Sequence, residues 1–326
     1  MRLAALLLFL AAPALADTEA VIAEHILPGH AAFAARTQAL ADAAQADCSP
    51  AALDAPYQHA FDSWLGISHL RLGPAEEAGR YQAIAFWPDP RGLTEKTLRR
   101  LIADRDPVAT DGHYADVSVA ARGLFALDHM LHDAGFAGYA KDGYECRLVQ
   151  AITADLAALA ATLDSQWRDR FAETLRTAGQ PGNATYLAPR EVTQVLFTQL
   201  TTALEFDADQ RLGLPMGTFD RPRPNRAEAR RSHRPLRNVV LSLTALRQLA
   251  ALLPDAAPEK TLAAFDTAIA EAARLDDPDF AGVDTPQGRF KLESLQNRIR
   301  DARAAAIAEI GPALGVSAGF NSADGD

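Results

Sequence analysis

Residues 123–133 read GLFALDHMLHD, an apolar segment carrying one carboxylate and two imidazoles that could ligate a metal. At 3.6 residues per turn, Ala120, Leu124, Leu127 and Leu131 form one buried stripe. Asp128 and His132, four apart, lie just to one side of it with Phe125 beside His132, while His129 points further toward solvent. A carboxylate and an imidazole at this spacing reach a common point and can share an ion. The same pair also serves as a solvated ion pair on a helix flank, the commoner use of such residues. A third group comes from FDSWLGISHLRLGPAEE, in which Phe61, Leu65, Ser68 and Leu72 make the stripe, His69 flanks it, and Glu76 follows the Pro74 stop. If the two helices pack together, Asp128, His69, His132 and Glu76 are the expected ligands of a mixed nitrogen and oxygen site between facing helices. The alternative for His69 is a ring bonded to a backbone carbonyl. His25 and His30, on either side of a Pro-Gly break, read as caps of helix-end carbonyls and stay outside the expected site.

A second cluster, RPRPNRAEARRSHRPLRNV at 221–239, concentrates seven arginines and His233 in an otherwise acidic chain. Guanidinium forks suit carboxylates and phosphates, so Arg230, Ser232, His233, Arg234 and Arg237, with Arg71 from the earlier segment, are the expected contacts of an anionic ligand. The alternative is a solvated helix start pairing with the chain's own acids. Ser232 and His233 have no third partner for a nucleophilic triad.

The elements that must position these residues are helices. Alanine and leucine dominate, β-branched runs are short, and apolar residues recur at three and four, which predicts helices at about 18–45, 52–72, 92–104, 116–133, 144–178, 190–211, 226–252, 259–274 and 286–312. Residues 213–225, rich in proline and glycine, read as a connection between two helical lobes. The fold class expected is all-α, with lobes at 17–212 and 213–326.

Of the 326 residues 48% are hydrophobic and 23% charged, which suits a large buried core. A net charge of -10 disfavours nucleic acid as a partner. The start, MRLAALLLFLAAPALAD, joins one positive charge, a short apolar run and a small-x-small site before Asp17, the pattern of a signal peptide at 1–16. No later stretch reads as a membrane span. Cys48 and Cys146 are the only cysteines, and export through an oxidising compartment would join them; two buried thiols are the alternative.

Several segments taken in order resemble the imelysin family, also known as the M75 peptidases. They are HLRLGPAEE with AFWPDPRGLTEKTLRRLIA at 69–103, VAARGLFALDHML at 119–131, YECRLVQAI at 144–152, EARRSHRPLRNVVLSLTAL at 228–246 and the closing ALGVSAGFNSADGD. The resemblance implies an all-helical protein of two bundle-like lobes with a pocket near their junction, located in the periplasm and associated with iron acquisition. The family's peptidase label rests on G-x-H-x-x-E, which here reads Gly123-Leu124-Phe125-Ala126-Leu127-Asp128. Phe125 can neither bind a metal nor move a proton, so peptidase activity is not expected. The expected function is a periplasmic binding protein holding iron, another divalent ion or an iron-bearing anion, with components of an iron-uptake system as partners. A metallopeptidase and an acidic-polysaccharide binder, the latter implied by a relative, are the alternatives. The exported protein should begin at Asp17; an intact mass that retains residues 1–16 would contradict the leader.

Overall fold

The computed structural model describes residues 17–317, so the expected leader lies outside the described residues. The longer helices are α1 (Leu27–Ala46), α2 (Pro50–Leu65), α3 (Leu93–Asp104), α4 (Gly123–His132), α5 (Tyr144–Gln166), α6 (Pro189–Phe206), α7 (Pro235–Leu252), α8 (Glu259–Ala273) and α9 (Pro286–Leu314). Among the described residues there is no strand, only one isolated bridge between Thr218 and Arg221. Proline at the first turn starts α2, α6, α7 and α9, where its missing N–H is no loss. Thr285 caps α9 by accepting from the Gly288 N–H, and Gly315, at φ 65°, ends it.

Helix α1 packs between α2 and α5, and α4 lies against α2 and α5. The later helices form a second set in which α9 packs on α6 and α8, and α7 on α6 and α8. Helix α7 also touches α2, and the buried side chains form one continuous core. Helix α6, which precedes the expected division at 212/213, packs on α7 and α9 of the later set. A helix joins the neighbours that cover its apolar face, whichever side of a proline-rich loop it occupies.

Several expected helices are shorter. The 52–72 helix stops at Leu65, and residues 66–69 form turns, so His69 is not on the helix. The 226–252 helix begins only at Pro235; before it, Ala229 and His233 adopt positive φ around a single turn at Arg230–Ser232. The 116–133 helix begins at Gly123, whose φ is 67°. A Cβ there would collide with the carbonyl oxygens of Ala83 and Ile84, so the close approach of the Arg80–Ile84 helix end requires glycine.

The expectation about membrane spans needs a correction. The continuous helical stretch Tyr144–Arg176 is long and apolar enough by composition to cross a bilayer, and half of its most apolar window is buried inside the fold. Its apolar residues cover α1 and α4, the ordinary use of such a helix in a core. At its start Cys146 is bridged to Cys48, across 98 residues of sequence. That bond ties the turn between α1 and α2 to the first turn of α5.

Replacing both cysteines by serine should lower the unfolding free energy by about 2–5 kcal/mol, as expected for a bridge closing so long a loop. Gly123→Ala should cost at least about 2 kcal/mol, from strain at positive φ plus the backbone collision. Urea unfolding followed by circular dichroism checks both.

Candidate functional site

Every residue of α4 from Gly123 to Leu131 is buried. One flank of the helix faces the loop that carries FWPDPRG. Trp87 of that loop stacks on Phe125 at 6.4 Å and meets Phe206 edge-on at 5.8 Å. Asp89 accepts from the Leu93 and Thr94 amides at 2.9 and 2.8 Å, satisfying the free N–H groups at the start of α3. Residues 225–231 form the third wall. Together these elements enclose a cleft of about 170 Å³ into which Trp87, Phe125, Asp128, His129, Arg226 and Arg231 face.

Asp128 is fully buried, and its Oδ1 accepts from the Ser232 hydroxyl at 2.5 Å and the Ser232 amide at 3.2 Å. Arg231 lies 3.7 Å from its Oδ2 and donates to Asp133 at 2.7 Å. Burial pushes the Asp128 carboxyl above its ordinary range, while the Ser232 hydroxyl and the Arg231 charge oppose that rise. His129 borders the same cleft; burial, followed by the Arg231 charge, lowers its imidazole to about 4, so the ring is neutral near pH 7. Its Nδ1 is buried and has no hydrogen-bond partner among the described residues.

The four expected metal ligands do not converge. His69, carried past the end of α2, places its Nε2 2.9 Å from the Nε2 of His25 and lines a different cavity from Asp128. Glu76 is exposed on its loop. His132 lies against Tyr57, with ring centroids 5.1 Å apart and its Nε2 3.8 Å from Asp54, and borders a second cleft of about 400 Å³ with Arg230, His233 and Asp279. Asp128 keeps its site, with the Ser232 hydroxyl and amide as partners. Among the described residues no group of three or more His, Cys, Asp or Glu is arranged to hold a metal ion.

The arginine cluster also divides. Arg234 is fully buried over the Phe61 ring and donates to Asn238, Gln58 and Asp62. Arg237 grips the same Asp62 carboxylate, and His233 bonds Asp279 at 2.7 Å. These three tie residues 229–237 to α2 and the 276–284 loop, Arg234 from a fully buried position. Arg71 is sandwiched between Tyr81 and Phe206, at 4.3 and 4.7 Å. Arg226, which the expected set omitted, is exposed, faces the cleft and has no ion-pair partner among the described residues.

His129 and Trp87 were missed as well. Stripe geometry assigns His129 to solvent because it assumes one wet face, and α4 has none. The aromatic and proline density of FWPDPRG was the available sign for Trp87.

The imelysin (peptidase M75) family model matches residues 26–306. A crystal structure of an imelysin-like protein from Psychrobacter arcticum 273-4 superposes with a TM-score of 0.75 at 18% identity, covering 93% of this chain and 96% of that one. A second, described as an iron-regulated protein A precursor from Parabacteroides distasonis ATCC 8503, gives 0.70 at 13% identity, covering 89% and 92%. At such identities these two show the shared fold. No curated protein matches the sequence.

Ser232→Ala removes a hydrogen bond to a buried carboxylate and should cost about 1.5–3 kcal/mol in denaturant unfolding. In NMR titrations the His129 ring should take up its proton near pH 4; titration near 6.5 would contradict its burial.

Proposed function

The chain belongs to the imelysin family, and from that premise we propose that it is a periplasmic binding protein with an iron-related role, taking a small iron-bearing anion into the cleft beside α4. The observation that carries this reading is the meeting of both motif positions, Phe125 and Asp128, with two guanidinium groups in one cleft. The link to iron is supported by the structural relative described as an iron-regulated protein A precursor.

The donor set does not fit a directly coordinated ion. Phe125 supplies an aromatic wall where the family motif has an imidazole, and the Asp128 oxygens already face Ser232 and Arg231. Arg226 and the free edge of Arg231 offer N–H donors to carboxylate oxygens. The Trp87 and Phe125 rings exclude water beside them, which strengthens those contacts. Asp128 and Asp133 hold the Arg231 head in place, so a ligand does not have to order it. The neutral His129 ring adds a polar group without adding charge. On this reading the iron arrives inside its chelate, and the protein recognises the chelate's outer oxygens.

Ferric citrate should raise the melting temperature, since a ligand of the folded state stabilises it by mass action. Citrate alone should do so less. Arg226→Glu should abolish the shift while leaving the melting temperature of the unliganded protein unchanged, and raising salt from 50 to 500 mM should weaken binding. An unchanged melting temperature with ferric citrate, or a shift indifferent to Arg226→Glu, would overturn the proposal.

A further inference from the structure

Away from the cleft, a chain of hydrogen bonds fixes the protons on two buried histidines. The Gln248 side-chain amide donates to the Glu24 carbonyl at 3.1 Å, which places its Oε1 3.1 Å from His25 Nδ1. An amide oxygen only accepts, so His25 carries its proton on Nδ1. His25 Nε2 is therefore a bare lone pair, and the His69 Nε2–H, 2.9 Å away, donates to it. His69 Nδ1 is then unprotonated, and it is buried with no partner among the described residues. Burial lowers the proton affinity of both rings, so each is neutral. Two imidazoles thus face each other through their Nε2 atoms across a single proton, and that proton has a second seat at His69 Nδ1.

We propose that His25 and His69 form a two-coordinate site for a soft monovalent cation of the copper(I) or silver(I) type, held between their facing Nε2 atoms. On binding, both Nε2 lone pairs form bonds to the ion, and the proton on His69 Nε2 moves to Nδ1 by exchange through water. No proton is released and no electron moves, because the cation enters and stays as +1. Metal–nitrogen distances of about 2 Å need the two nitrogens roughly 4 Å apart, about 1 Å more than in the metal-free pair. Neither residue is held inside a regular α-helix. His25 is in the π-type turn Val21–Ile26, and His69 is in the turns after α2.

A small cavity adjoins His69 on one side. His69 shares that cavity with Arg211 and Ser242, and Arg211 is bonded to two carboxylates, Asp207 and Glu228. Burial raises the Asp207 carboxyl to about 6, and the Arg211 charge is among the causes that keep the His69 ring unprotonated. No third ligand is arranged beside the pair among the described residues, which disfavours ions that demand four. Both cysteines are bridged and do not compete for a soft cation. Gln248, an exposed side chain, covers His25 and is the natural point of entry.

Silver nitrate in chloride-free buffer is the direct probe, since it needs no reductant that would open the disulfide. Native mass spectrometry and calorimetry on the mature chain should give one silver ion per protein. Binding should be at least about tenfold weaker in His25→Ala and in His69→Ala and unchanged in His113→Ala. Long-range proton–nitrogen spectra of the wild-type protein provide a readout independent of those variants: His69 should carry its proton on Nε2 without silver and on Nδ1 with it. Silver binding in either variant as tight as in the wild type, no binding to the wild type, or an unmoved His69 proton would overturn the proposal. None of these outcomes touches the ferric citrate experiment, which concerns other residues.

Discussion

A carboxylate buried in a core must be satisfied or neutralised, and Asp128 meets that demand through Ser232 and Arg231. The requirement reaches across the molecule. To bring a hydroxyl, an amide and a guanidinium to one buried oxygen pair, residues 229–233 leave helical geometry twice through positive φ, at Ala229 and His233. That turn carries Arg231 to the wall of the cleft and delays the start of α7 until Pro235. The cleft beside α4 therefore exists because the segment before α7 must fold as a turn.

The approach of that turn to α2 is fixed by a second buried ionic group. Arg234, with no exposed surface, lies flat on Phe61 and bonds Asp62 and Gln58, while Arg237 shares the Asp62 carboxylate. At the other end of α4, Arg122 holds Asp155 of α5 through two bonds of 2.8 Å. Truncating one partner of such pairs leaves a charge stranded in low dielectric, so they define the arrangement of helices more than they add net stability. Gly123 completes the constraint by letting the Arg80–Ile84 helix end reach the first turn of α4.

The substitution of phenylalanine at the motif histidine has a structural counterpart. Phe125 joins a run of rings from Phe61 to Trp87 and on to Phe206, so the position has become part of the aromatic packing. An imidazole there would have needed a polar partner inside that run. The Asp128 acid then turns to Ser232 for hydrogen bonding.

The helical class, most helix positions and the family were legible in residue order, because they depend on local periodicity, on turn residues and on motifs that survive in one dimension, and the pairing of Cys48 with Cys146 was expected because they are the only two cysteines of a chain read as exported. His129, Arg226 and the His25–His69 pair were not legible, and neither was the conversion of Arg234 and Arg237 into internal supports. Helical phase places a side chain relative to its own axis only. It cannot show that α4 is enclosed on every side, that α2 ends before His69, or that the nearest carboxylate to Arg234 lies 172 residues away at Asp62. Composition and spacing determined which chemistries this chain could attempt, and only the packing of its helices decided which side chains meet, since burial, partner and proton position are properties of the assembled neighbourhood.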